Sequence, residues 1–316
     1  MENTVTIHKF RHSQFRHDLE QNKPIHRDDF CFYRFIGGNS SETNELIDQL
    51  NVLKDKKALM LGIFRFPFRF EGKRRMQTAI HQYHRMRELC DSVIFFHGDG
   101  MLEMIDQSSS LVEANQIFNS YEENAIAALE EMIYVPGEIN IDARDIRTFI
   151  KENKGPIFLH TLEEDSFDEP LKYLISAPYL PENYTDGKEM IINIGYSQDV
   201  NMEAFRHINL RLHDMFHKAE LVKLGSYFMK KPGNRFKITI LVSGIEDPFP
   251  KPDDFGKLPL PSLWFKRKWE LIQRRGKELK VFQSDTSDSS SERFSEEEKQ
   301  DEEQDKILYY SKKRLP

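Results

Sequence analysis

The sequence predicts a parallel α/β half joined through one long helix to a smaller α+β half. Three observations carry this. Short apolar runs at residues 30–36, 58–64 and 92–96 alternate with helical patterns, as strands and crossover helices do around a parallel sheet. Residues 109–134 contain neither Pro nor Gly. Leu111, Ile117, Phe118, Tyr121, Ile126, Leu129 and Ile133 recur there near the helical period, enough for roughly seven turns. Beyond them, residues 221–229 and 235–242 read as adjacent strands joined by the turn Pro232-Gly233-Asn234, and they follow two further strands with intervening helices.

In chain order, residues 1–28 are polar, rich in His and Arg, and include Pro24; they read as an arm to which no fold is assigned. The run at 30–36 ends at Gly37-Gly38, and Ser40 or Ser41 is placed to cap a helix carrying Leu46, Ile47 and Leu50. The unbroken apolar run at 58–64 suits a strand covered on both faces. A helix at 72–90 and a strand at 92–96 complete the first half, residues 29–108, and the long helix occupies 109–135. In the second half, residues 136–247, strands are expected at 156–159 and 190–195 and helices at 167–176 and 202–218.

Five prolines, Pro248, Pro250, Pro252, Pro259 and Pro261, then interrupt regular structure, and residues 248–282 close with a basic aromatic stretch. Residues 283–305 hold ten acids and two bases, a composition that reads as a disordered linker because it offers too little apolar surface to offset the entropy of ordering. The last segment, Lys306 to Pro316, is apolar and then basic.

The formal charge of -7 is almost all in that linker, so the remainder is near neutral and has no strongly basic surface asking for nucleic acid. No apolar run approaches the roughly 18 residues that span a bilayer, and the N-terminus lacks a signal peptide's apolar centre, which makes the cytoplasm the expected location. Cys31 and Cys90 are the two cysteines, and both read as reduced core residues. In Trp264-Phe265-Lys266-Arg267-Lys268-Trp269, packing of the tryptophans on the fold competes with a weak contact to an anionic membrane. His213-Asp214-Met215-Phe216-His217 spaces two His as a zinc helix does, but Asp is shorter than the usual Glu and no third ligand is evident, so no metal is expected. His81, His84 and His207 read as surface residues.

The stretch Pro136-Gly137-Glu138-Ile139-Asn140-Ile141-Asp142-Ala143-Arg144-Asp145 opens a helix. From the residues alone, Asn140 or Asp142 caps it and Asp145 lies in its first turn, where carboxylates complement unpaired N–H groups and the helix dipole. Asn140-x-Asp142-x-x-Asp145 after a long helix also resembles the catalytic loop of FtsZ, the bacterial relative of tubulin, which each subunit inserts into its neighbour's GTP site. The resemblance extends through Phe70-Glu71-Gly72-Lys73-Arg74-Arg75-Met76, Ala177-Pro178-Tyr179-Leu180 and Ile238-Thr239-Ile240-Leu241-Val242-Ser243-Gly244-Ile245, and covers about residues 29 to 247. It implies an α/β remnant of a tubulin/FtsZ GTPase domain, a central helix and an α+β FtsZ C-terminal domain. It also likens Lys306 to Pro316 to the tail peptide that binds division partners.

The resemblance breaks down at the nucleotide. Ile36-Gly37-Gly38-Asn39-Ser40-Ser41-Glu42-Thr43 stands where the family has a glycine-rich phosphate turn, and Glu42 brings a negative charge toward that phosphate. Asn115 and Ser120 replace the guanine-reading aromatic ring and aspartate. Glu71 and Arg75 match ribose and phosphate contacts, and read otherwise as a first-turn acid and a solvated arginine. The expectation is a vestigial site at Gly37, Gly38, Glu71 and Arg75 with no bound cofactor. Asn140, Asp142 and Asp145 would act, if at all, on a neighbouring subunit's GTP. The implied role is regulation or capping of FtsZ filaments. The alternatives are a divergent GTPase using GTP with Mg2+ in filaments of its own, and a division scaffold acting through its tail.

Overall fold

Every residue of Leu59–Arg65 is buried, and this run forms strand β3 in the interior of a sheet. Strands β2 (Phe30–Ile36) and β4 (Ser92–Phe96) flank it in parallel, Phe32 lying opposite Leu61 and Ile63 opposite Ile94. In this computed structural model, residues 5–103, 105, 106, 108–153, 155–164 and 183–250 are described. The helix expected at 167–176, the motif Ala177 to Leu180, the stretch Trp264 to Trp269 and the peptide Lys306 to Pro316 lie outside them.

Residues 1–28 do more than the sequence reading gave them. Ile7–Arg11 forms β1, parallel to β2, and Phe15–Gln21 forms helix α1. The reading failed because β1 is stabilised by pairing and by buried polar contacts, which periodicity does not register. Asp29 accepts the Thr6 and His26 amides at 2.9 and 2.7 Å, and its Oδ2 lies 3.0 Å from Nε2 of the buried His8. The outer edge of β1 is blunted: the Ile7 amide donates to Tyr134 Oη at 3.0 Å and the Arg11 amide to Asp18 Oδ2 at 2.8 Å.

Helices α2 (Thr43–Lys54) and α3 (Lys73–Leu89) follow β2 and β3 and pack on one another. After β4 and the short α4 (Gly98–Leu102), α5 (Leu111–Tyr134) starts at a capping box in which Ser110 and Glu113 exchange hydrogen bonds. Ala114, Phe118, Ala125, Ile126, Leu129 and Met132 line its buried stripe. Lys9–Glu130 and Arg11–Glu123 ion pairs tie β1 to α5 at 2.7 and 3.2 Å.

The later elements are α6 (Ala143–Glu152), β5 (Pro156–Glu164), β6 (Glu189–Tyr196), α7 (Met202–Met215), β7 (Leu221–Phe228) and β8 (Phe236–Ser243). The eight strands among the described residues make one sheet in the order β1-β2-β3-β4-β5-β8-β6-β7. It runs from β4 to β5 through the pairs Val93–Pro156 and Ile94–Ile157. The expectation that residues 221–229 and 235–242 lie side by side is overturned. β8 runs antiparallel between β5 and β6, while β7 pairs in parallel with β6 at the edge. β8 is apolar and buried along nearly its whole length, whereas Leu221 and Val222 of β7 are exposed, and the more apolar strand takes the interior place.

The described residues up to Phe249, apart from Asp106–Ser108, form one compact unit. No helix among the described residues is long and apolar enough to cross a membrane.

Candidate functional site

The turn leaving β2 sits close against the next layer, and two glycines make that possible. A Cβ at Gly37 would collide with the Phe64 ring, and Gly38, at φ 114°, would place one 2.6 Å from Arg75 Cγ. Gly37, Gly38, Glu71 and Arg75 are thus brought together. Gly38, Glu71 and Arg75 line one cleft of about 480 Å3 with Ile36, Asn39, Glu42 and Arg74.

Four amides of this turn, those of Gly37, Gly38, Ser41 and Glu42, already have partners. Gly37 donates to the Arg65 carbonyl at 2.9 Å and Gly38 to Gln82 Oε1 at 2.8 Å. Gln82 is fully buried, and its Nε2 donates to the Asn39 carbonyl at 2.7 Å and to Thr43 Oγ1 at 2.9 Å. The Ser41 amide goes to Asn39 Oδ1 and the Glu42 amide to the Asn39 carbonyl, both at 3.2 Å. Gln82 was missed in the sequence, although its place beside Ala79, Tyr83 and Met86 on the buried face of α3 marks a polar side chain that must find partners.

Charge in the cleft is balanced internally. Arg75 Nε pairs with Glu71 Oε2 at 2.9 Å, and Glu71 Oε1 accepts the Phe68 amide at 2.8 Å, capping the turn before α3. Glu42 and Glu71 offset Arg74 and Arg75, so no net positive charge awaits a triphosphate. Asn115 and Ser120 on α5 are exposed, and the Ser120 hydroxyl donates to the Ile117 carbonyl at 2.7 Å. The residues present do not fit a phosphate chain.

Beneath this turn lies a buried ion network that sequence reading did not find. Glu122 stands on the apolar stripe of α5 at 3% exposure, facing Arg34 of β2 and Arg65 of β3. Arg34 also pairs with Glu123, and Arg65 Nη2 donates to Asn119 Oδ1 at 2.6 Å.

The loop from Pro136 to Asp145 is built as a helix start. Asp142 Oδ1 accepts the Arg144 and Asp145 amides at 2.9 Å each, and Asp145 Oδ2 returns the favour to the Asp142 amide at 3.1 Å. Asn140 Oδ1 accepts the Gly137 amide at 3.1 Å. Asp145 also pairs with Lys223 of β7. Burial pushes its carboxyl up, but the Lys223 ammonium and the Asp142 amide outweigh that and hold it below the usual carboxylate value. Asn140 and Asp142 remain exposed, and both bonds accepted by Asp142 are at Oδ1. Replacing Asp142 with Ala should cost about 1 kcal/mol in urea unfolding through loss of the cap; an unchanged midpoint would show that the cap contributes nothing.

Among the described residues no group of three His, Cys, Asp or Glu is placed to hold a metal ion.

No family model matches the chain. Proteins named "Cell division protein FtsZ" do. That of Aquifex aeolicus is 23% identical over 232 residues, 72% of this chain and 63% of the relative. That of Buchnera aphidicola is 25% identical over 213 residues, 66% and 54% respectively. Among solved structures, the empty FtsZ dimer of M. jannaschii superposes with a TM-score of 0.58 at 19% identity, covering 71% of this chain and 70% of that one. A GTPgS-bound protofilament of CetZ2 from Haloferax volcanii superposes with a TM-score of 0.57 at 13% identity, covering 78% and 71%. The chain is FtsZ/tubulin-like. Its low identity fits a divergent form, and this FtsZ-like chain spans about half to two thirds of the length of the curated relatives it matches. The eight-stranded mixed sheet is that of the family's fold.

Proposed function

We propose that this FtsZ-like protein does not turn over GTP by itself but regulates or caps filaments of FtsZ-like subunits in bacterial cell division, acting in the cytoplasm at the division site. One observation carries the reading. The Gly37, Gly38, Ser41 and Glu42 amides of the turn after β2 are consumed internally by the Arg65 carbonyl, Gln82 and Asn39, whereas Asn140 and Asp142 stay exposed at the other end of the fold. Head-to-tail assembly needs two competent ends on every subunit. A subunit with one ends the filament.

In this reading α5 is the family's central helix, residues 29–108 correspond to part of the nucleotide domain, and residues 136–247 correspond to the C-terminal domain. Asn140, Asp142 and Asp145 dock against the nucleotide face of an FtsZ subunit. Asp145 is held by Lys223 as a positioning residue, and Asn140 and Asp142 make the contact. The tail from Lys306 to Pro316 is a further place for division adaptors.

Titrating the full chain with GTP and Mg2+ by calorimetry should give no heat of binding that Arg75→Ala removes, because the Gly37-Gly38 cleft holds no phosphate chain. Added at equimolar ratio to FtsZ, the protein should change the sedimentable polymer mass, and Asn140→Ala with Asp142→Asn should abolish that change. Micromolar GTP affinity that is lost in Arg75→Ala would return the chain to the class of divergent GTPases. Polymer mass unaffected by the wild type would overturn capping, and an effect that survives loss of residues 306–316 but not the loop variants would exclude a tail-borne scaffold.

A further inference from the structure

A second cleft, of about 390 Å3, opens at the N-terminal ends of β3, β4 and β5, opposite the Gly37-Gly38 turn. Lys54 and Lys57 at the end of α2, Lys151 in the last turn of α6, and Arg87, Glu88 and Asp91 around the α3–β4 junction line it.

Most of its charges are already committed. Arg87 pairs with Asp247 and lies over the Tyr83 ring, its guanidinium carbon 5.9 Å from the centroid. Glu88 pairs with Arg85, and Asp91 Oδ2 accepts the Met60 amide at 2.7 Å. The three lysines are the exception: among the described residues, none of Lys54, Lys57 and Lys151 has an acidic partner. Ammonium groups at the ends of α2 and α6 complement the helix dipoles, but this accounts for only a few tenths of a kcal/mol each and needs no shared cleft.

Lys57 adds a second, independent sign. It is the one non-glycine residue among those described with positive φ, at 61°. Its amide closes α2 onto the Lys54 carbonyl at 3.0 Å, a left-handed closing position that glycine or asparagine ordinarily fills. A lysine there carries local strain that glycine would relieve.

We propose that this cleft binds a diphosphate group, the three lysines supplying the charge. Two phosphoryl units carry about three negative charges near neutral pH; the three ammonium groups outnumber the one carboxylate of the cleft without a cationic partner among the described residues, Asp91, and lysine offers donors only, as phosphate oxygens require. The volume is in the range of small-ligand sites. The diphosphate of a free inorganic ligand and that of a nucleotide share this chemistry. No aromatic ring lines the cleft, so nothing here stacks on a base.

The test is calorimetric titration of the full chain with pyrophosphate and, separately, with ADP, at fixed ionic strength. Pyrophosphate should bind, and ADP within about threefold of it. The double variant Lys57→Gly/Lys151→Gln should lose at least tenfold in affinity. It should stay folded, because glycine suits the backbone at position 57, and its thermal midpoint without ligand checks this. Arg74→Gln, in the opposite cleft, should bind as the wild type does. No heat with pyrophosphate, ADP binding where pyrophosphate does not, an affinity unchanged in the lysine variant, or one lost in Arg74→Gln would each overturn the assignment.

Discussion

Replacing Glu122 with Ala should lower the free energy of unfolding by about 3–5 kcal/mol. Among the described residues the carboxylate is the one acid that Arg65 pairs with, and Arg65 is only 7% exposed. Its removal leaves a buried guanidinium with Asn119 alone, whereas Arg34 keeps Glu123. The loss comes from the stranded charge more than from the ion pair itself. Replacing Glu122 with Leu, Arg34 with Met and Arg65 with Met together should therefore recover most of the stability, since apolar side chains of similar volume satisfy such a site at least as well. Urea unfolding of the single and triple variants decides the matter. A single variant within about 1 kcal/mol of wild type would show that water reaches the site and screens it.

Asp29→Ala should be nearly as damaging, at about 3 kcal/mol, and its effect should be local. One carboxylate gathers the Thr6 amide, the His26 amide and the His8 ring, and without it Nε2 of a buried histidine and two backbone N–H groups lose their partner. Hydrogen-exchange protection at Ile7–Arg11 should collapse while protection in β3 persists; loss of protection throughout the sheet would show that β1 is not a separable unit. The pH dependence has a definite sign. Burial raises the Asp29 carboxyl, but the two amides and His8 outweigh it, so its folded value lies below the ordinary one. The stability it contributes is therefore fully present above the unfolded value of about 4 and is lost as pH falls through the folded value. Wild type and variant should converge in stability as the solution becomes more acid than that, and a gap that persists unchanged to pH 2 would contradict the assignment.

The sequence discloses the sheet strands of the first half because their apolar runs are unbroken, and it discloses α5 because its period is. It discloses the cleft residues Gly37, Gly38, Glu71 and Arg75 as neighbours only through their family resemblance. What escaped were polar groups satisfied at long range. Arg34 inside the otherwise apolar run Phe30–Ile36 and Glu122 on the stripe through Phe118 and Leu129 each look like a defect, and they explain one another only when the helix lies on the sheet. Likewise β1 is too short and too polar for its periodicity to speak, and its place depends on Asp29 and on the pairing with β2. The order of the last strands was hidden because a turn signal such as Pro232-Gly233-Asn234 reports a reversal of the chain but not which neighbour each strand then chooses.

The place of β8 bears on how the chain is made. The strand between β5 and β6 is the last of the eight to be synthesised, so until residue 243 has left the ribosome both neighbours present bare apolar edges. The C-terminal portion of the fold must therefore close late and in one step, and a nascent chain stalled before Phe236 is a natural client for a chaperone.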